Sequence, residues 1–276
     1  MAYAAKHASH RIHGSQVALV RAAVGFTGVL LQSTLRRVPL RPVRWSILAL
    51  RGLLGGVAVL GYFVALANLP VGTATLLTFT SPVFSAIFSW LFLRERLLAA
   101  TAVALGVASI GVTLVIHGQG KALGGAYGWQ AIALGAAVVS GAAVTAIRAA
   151  RRTDGTWEIF AVFSFATILC AAPFALTRWI TPNPVEWGLL LFVGTISLIA
   201  QVLMTHALRV VDASTSGIMS QITVVVSIAL GHFLDADPFP PLAAGGALLT
   251  LAGVSWAART AARQGEPVAA GERATL

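Results

Sequence analysis

The sequence predicts an all-α integral membrane protein, a helical bundle of about nine transmembrane helices, and three observations carry that reading. Nine apolar stretches fill most of the 276 residues, each near the ~20 residues that a helix needs to cross ~30 Å of hydrocarbon. Hydrophobic residues make up 57% of the chain and charged residues 10%, with a mean hydropathy of +0.84. That leaves too few polar side chains to cover a water-soluble globule. The cations between the stretches are also divided unevenly between alternate loops, as the positive-inside rule requires of a polytopic protein.

In chain order the spans fall at 15–33, 46–67, 71–93, 97–117, 127–147, 158–176, 187–208, 213–234 and 241–258. The connections are short and carry turn residues, as at Asn68 to Pro70, Gly118 to Gly128, Thr181 to Pro184 and Asp235 to Pro241. None is long enough to hold a soluble catalytic domain. The Pro39 to Pro42 stretch and the tail from Gln264 to Leu276 read as polar linkers.

A net charge of +10 and a pI near 11.4 raise the possibility of a nucleic-acid surface, which the positions of the cations exclude. Arg36, Arg37, Arg41, Arg44, Arg51, Arg94, Arg96, Arg148, Arg151, Arg152, Arg209, Arg259, Arg263 and Arg273 fall on one side, 14 in all. Only Lys6, Arg11, Lys121 and Arg178 fall on the other, with Arg21 left inside the first span. The charge is therefore a topology signal, and it predicts a multi-pass inner-membrane protein with a cytoplasmic C-terminus and an external N-terminus. Residues 1–14 are polar and have no cleavable signal peptide pattern. The single cysteine, Cys170, lies in an apolar span and reads as a small core residue.

Shifting the chain against itself by 142 residues reveals an internal repeat. Ala65-Leu66 falls on Ala207-Leu208, Gly52 on Gly194, Thr73 on Thr215, Val83 on Val225, Ser85 on Ser227, Ala102 on Ala244, and Gly111-Val112 on Gly253-Val254. The acidic Glu95 falls on Asp237. Under the same shift the 127–147 span pairs with a segment before Met1. The organisation predicted is therefore 4+5 helices from a 5+5 parent: a first repeat over 1–121, a second over 122–258, and a cytoplasmic tail over 259–276. Because each repeat of the parent has an odd number of spans, the second half inserts upside down, the architecture of secondary transporters.

The segments Leu50 to Gly56 (LRGLLGG), Tyr62 to Pro70 (YFVALANLP), Thr78 to Pro82 (TFTSP) and Leu91 to Leu97 (LFLRERL) carry a family resemblance. With looser counterparts at Gln201 to Ala213, Ser220-Gln221 and Gly245 to Gly253, the chain resembles the EamA branch of the drug/metabolite transporter superfamily over residues 16–258. The resemblance implies a ten-helix inverted repeat with a central cavity and a peripheral fifth helix in each half. The chain departs from it in the first helix, which in the family contributes to the cavity wall. Either the start codon is placed too late or this is a shortened form.

Polar groups within spans are expected to face the bundle interior, because a polar group against lipid is expensive. Arg21 either snorkels to the headgroups or supplies a cavity charge. Gln201 and His206 on one span, with Ser220, Gln221 and Thr223 on the next, form a polar cluster where the family's cavity would lie. Interhelical hydrogen bonding is the competing role for them. Tyr62, Thr78, Thr80 and Ser81 are candidate lining residues of the first half, beside Pro82, which interrupts the helix where it could bend. Those hydroxyls could equally serve the carbonyls that the proline frees. Gly52 and Gly56 allow close helix approach, and Trp45, Trp129, Trp179, Trp187 and Trp256 read as interfacial anchors.

No motif of a metalloprotease, serine hydrolase or nucleotide-binding loop is present, so no enzyme, no ATP-driven pump, no cofactor and no metal is predicted. The function predicted is secondary transport of a small organic metabolite, amino-acid-like or related, across the inner membrane by alternating access. The partners are that solute and the lipid bilayer, with a homodimer or a helper helix as further possibilities and no nucleic acid. The alternative is a shortened, non-transporting homologue or subunit that needs a partner helix, and an intramembrane enzyme stands third.

Overall fold

The computed structural model describes residues 1–9, 11–36, 42–93, 99–122, 127–150, 153–207, 213–237 and 240–265. Every regular element among them is a helix: α1 (Ala2–Ala8), α2 (Gly14–Arg36), α3 (Trp45–Asn68), α4 (Val71–Thr78), α5 (Ser81–Leu93), α6 (Ala99–Ala122), α7 (Tyr127–Ala150), α8 (Thr156–Thr177), α9 (Pro184–Ala207), α10 (Ala213–Leu234) and α11 (Pro241–Gly265). Counting α4 and α5 as one interrupted span, α2 to α11 follow the nine apolar stretches of the sequence. Six described segments are long and apolar enough to cross a membrane, and shorter apolar runs lie at 102–118, 222–234 and 241–257. Large side chains point outward from the bundle, with Phe233 82% and Leu248 70% exposed, which is the surface that lipid tails cover. Trp45, Trp129, Trp179, Trp187 and Trp256 are exposed on that surface too.

The helix ends follow from local chemistry. Pro184 and Pro241 open α9 and α11, a position where the missing N–H costs nothing. Before α9, Asn183 and Glu186 form a reciprocal capping box: the Glu186 amide donates to Asn183 Oδ1 at 2.8 Å and the Asn183 amide to Glu186 Oε2 at 2.7 Å. The break between α4 and α5 is set by Pro82, which has no N–H to give the Thr78 carbonyl and whose ring crowds it. Thr80 turns back on this break, its hydroxyl donating to the Leu77 carbonyl at 2.6 Å.

Small residues let the helices meet closely. A Cβ on Gly52 would lie 2.9 Å from the Ala166 methyl, and one on Gly56 3.0 Å from Thr167 Cα, so the Gly-x-x-x-Gly face of α3 packs on α8. The same device joins α6 to α11, where a Cβ on Gly253 would lie 2.6 Å from the Ala108 amide nitrogen. The pairing of helices has a two-fold pattern: α3 packs on α7 and α8, and α9 on α1 and α2, while α2 meets α8, α4 meets α10 and α6 meets α11. The seven residues of α1 bury Ala2, Ala5 and Ala8 in the core, although residues 1–14 read as polar in sequence.

Polar bonds tie the connections together at both ends of the bundle. At the end bearing Lys6, Arg11 and Arg178, Arg11 grips Glu186 with two bonds of 2.8 and 2.5 Å and donates to the Thr181 carbonyl. Gln16 exchanges a pair of bonds with the backbone of Ile180, at 2.8 and 3.2 Å. Lys6 caps the last turn of α3 through the Ala67 and Leu69 carbonyls, at 3.1 and 3.0 Å. Asp237 follows Ala236, which holds a left-handed φ of 52°, and accepts the Val71 amide at 3.1 Å. Burial pushes the Asp237 carboxyl above the ordinary range, and Asp235 adds to that against the pull of the Val71 amide and Lys6.

At the arginine-rich end, buried Asp154 accepts the amides of Val43 at 2.6 Å and Arg44 at 3.3 Å, and the Thr153 hydroxyl at 2.8 Å. It thereby fixes the start of α3 to the connection between α7 and α8. Burial alone would raise its carboxyl, but these bonds and the Arg44 charge hold it below the ordinary value. Asp154→Asn is expected to lower stability at neutral pH by about 1–3 kcal/mol. Because the folded carboxyl titrates below the unfolded one, this contribution is complete above ~pH 4 and is lost as the pH falls through the folded value. Tryptophan-monitored unfolding of both forms in one detergent checks this, the two stabilities converging in acid.

Candidate substrate cavity

A small cavity of about 10 Å³, roughly the room of one water, lies where α2, α8 and α9 meet. From α2 it is lined by Arg21, Ala22 and Gly25, from α8 by Phe160, Phe163, Ser164 and Thr167, and from α9 by Ser197 and Leu198. Gly25 keeps the wall open, since a Cβ there would lie 3.3 Å from the Phe160 ring and 3.4 Å from Ser164 Oγ. Its walls are therefore apolar and aromatic, with three hydroxyls and one cation among them.

Arg21 sits two turns into α2 and is half-buried. Its Nε donates to Ser197 Oγ at 3.0 Å, and its guanidinium carbon lies 5.8 Å from the centre of the Phe63 ring. The Ser197 hydroxyl in turn donates to Met1 Sδ at 2.7 Å, which brings α1 to the same point. A guanidinium has five N–H donors, and the serine takes one of them. Arg21 is also one of the residues that line the cavity.

The structure separates the other residues singled out in the sequence. Tyr62 is buried beside Phe63, close enough to couple electrostatically to Arg21, and its hydroxyl lies 3.5 Å from Thr75 Oγ1. Thr78 has a buried hydroxyl without a hydrogen-bond partner, Thr80 is spent on the helix break, and Ser81 and Pro82 are half-buried at the start of α5. None of these last four lines the Arg21 cavity. Gln201 is half-buried and has an interaction of its own, and Thr223 is exposed. The side chains of His206, Ser220 and Gln221 lie outside the described residues.

Ser164, Thr167 and Ser197 escaped the sequence reading. A signal was there: Ser197 precedes Gln201 by four residues and so shares its helix face, and Ser164 and Thr167 are three apart on α8. Arg51, grouped in sequence with the loop cations, is buried instead, two turns into α3.

Two stretches of the chain, residues 1–117 and 128–259, match the EamA-like transporter family. The chain belongs to that family. Among its relatives, the pseudopaline exporter CntI of Pseudomonas aeruginosa (strain UCBPP-PA14) is 30% identical over 249 residues, covering 90% of this chain and 87% of the relative. The S-adenosylmethionine uptake transporter of Rickettsia prowazekii is 24% identical over 233 residues, covering 83% and 77%. A solved crystal structure has the same fold, with a TM-score of 0.65 at 21% identity over 95% of this chain and 93% of its own. The EamA protein described here is thus a multi-pass membrane transporter of small metabolites of the drug/metabolite type, and not an enzyme.

In a Cys170→Ala background, Ser164→Cys is expected to react with a water-soluble maleimide, because it lines the cavity. Leu169→Cys, on the 58% exposed lipid-facing side of the same helix, is expected to react at least tenfold more slowly. Labelling rates in sealed membranes check the pair.

Proposed function

We propose that this EamA protein carries an amino-acid-like solute across the inner membrane, with the solute's carboxylate bound at Arg21 and the cavity exposed to each side in turn. The observation that carries this reading is the Arg21 to Ser197 bond, which joins α2 to α9 at the edge of a small cavity that would widen to admit a solute. A cation within a span is expensive unless it faces protein or water and has a role there. Ser164 lines the same cavity, and Thr167 and Ser197, whose hydroxyls donate to the Phe163 carbonyl and to Met1 Sδ, could still accept from a solute's ammonium group.

The two family matches, and a pairing of helices that is preserved when α2 exchanges with α8, α3 with α9 and α1 with α7, support an inverted repeat. Such a repeat moves a fixed site between two exposures by rocking one half against the other. In the orientation favoured by the arginine distribution, the Asp154 end faces the cytoplasm and the Arg11–Glu186 end faces outward. The relatives named for pseudopaline export and for S-adenosylmethionine uptake support a small organic solute in either direction.

The test is exchange across proteoliposomes containing the whole chain, using a panel of labelled amino acids and their uncharged amides. At least one acid is expected to exchange tenfold faster than its amide. Arg21→Gln should abolish that preference and Arg21→Lys should retain part of it. Equal handling of acid and amide, or an unchanged preference in Arg21→Gln, would overturn the assignment.

A further inference from the structure

Arg51 is a costly side chain to hold within the bundle. It is only 8% exposed, and its Nε and Nη1 are buried without a hydrogen-bond partner among the described residues. A buried charge with no compensating bond is among the most destabilising features that a fold can hold. The simplest role, a headgroup anchor near the end of a span, does not fit its direction. Helical side chains normally lean toward the N-terminus of their helix, which for α3 is the arginine-rich end. Arg51 leans the opposite way, its Nη1 lying in the space beside Gly55 that a Cβ there would fill, one turn deeper into the bundle. Its guanidinium carbon stands 4.5 Å from the centre of the Phe163 ring. Phe163 is also a wall of the Arg21 cavity.

We infer that Arg51 is a second anion-binding station, which takes the solute's carboxylate between the arginine-rich mouth and the Arg21 cavity, with Phe163 as the partition between the two. This rests on the transporter reading above. The chemistry is that of a cation held over an aromatic ring, with Nε and Nη1 buried and unpaired among the described residues, so that a carboxylate admitted there would satisfy them. Among the described residues no acidic side chain is paired with it, since Asp154, Asp235 and Asp237 lie in connections and Glu158 and Glu186 in the first turn of a helix. A carboxylate arriving from the arginine-rich side therefore meets a cation before Phe163 and a second one beyond it.

The test uses the whole chain with Ser164→Cys in the Cys170→Ala background, in inside-out membrane vesicles. The rates of modification by a sulfonate-bearing and by a trimethylammonium-bearing methanethiosulfonate are compared, the reagents being applied from the arginine-rich side. The anionic reagent is expected to win, and the ratio to fall about tenfold in Arg51→Gln and to recover in Arg51→Lys. Gly55→Ala, which keeps the charge but evicts the guanidinium from its place, should lower the ratio as well and carries the test if Arg51→Gln does not accumulate. An unchanged ratio in these variants, or a cysteine that is reached only from the other side, overturns the second station. Arg21→Gln in the same vesicles reports on the first site alone. A ratio that falls there but not in Arg51→Gln removes the second station and leaves the transporter reading standing. Loss of exchange with the Arg51 effect intact does the reverse.

Discussion

Holding a guanidinium inside an apolar bundle is the constraint around which this protein is organised. Isolated in hydrocarbon, such a group costs at least a few kcal/mol, and α2 and α3 each carry one. Arg21 is made tolerable by Ser197, by the face of Phe63 and by the opening beside Gly25, so the helices that supply those groups have to converge at its depth. Among the described residues, the Phe163 ring is what Arg51 meets. The cavity thus lies beside the first of these cations alone, and Phe163 stands between it and the second.

The glycine seams and the cavity are two sides of one arrangement. Without water between helices there is no hydrophobic drive for them to associate, so contact has to come from close backbone approach. The α3–α8 and α6–α11 seams achieve this with Gly52, Gly56, Gly111 and Gly253. Where larger side chains stand between helices, as Phe160 and Phe163 do beside Gly25, a gap remains. The ends are fastened differently, by Asp154 at one and by Arg11, Gln16 and Asp237 at the other, each joining connections far apart in sequence. Of these bonds the Arg11–Glu186 pair is exposed to water, whereas Asp154 and Gln16 are buried, so the ends are fastened by both exchangeable and buried polar contacts.

Most of the fold was legible because span length and apolar content act residue by residue. The nine stretches, the break at Pro82 and the proline starts of α9 and α11 follow from local sterics and from the need to satisfy every backbone bond in lipid. The site was legible only in part. Arg21 stood out because a charge within a span is rare, whereas Ser164, Thr167 and Ser197 are ordinary residues of membrane helices, and only the meeting of α2, α8 and α9 gives them meaning. Arg51 was hidden for the opposite reason. Six residues from the start of its helix, it is indistinguishable in sequence from a cation anchoring a span end, and only the space above Gly55 shows that it turns inward. The burial of Ala2, Ala5 and Ala8 was equally out of reach, since the polar residues between them dominate any average over the segment.

The absence of acidic residues from the middle of the spans bears on how a carrier of this design would work. In many membrane proteins a buried cation is paired with a buried carboxylate or with backbone carbonyls. Here the acidic side chains among the described residues sit in the first turn of a helix or in connections, so in the proposed reading the counter-charge for Arg21 and Arg51 has to arrive with the solute. The occupied cavity is then closer to neutral than the empty one, and closing it around a bound carboxylate desolvates less uncompensated charge. Differential stabilisation of that kind is the only means by which a ligand shifts a conformational equilibrium. A solute lacking the carboxylate would enter the same space without relieving the charge, and would leave the equilibrium where it was.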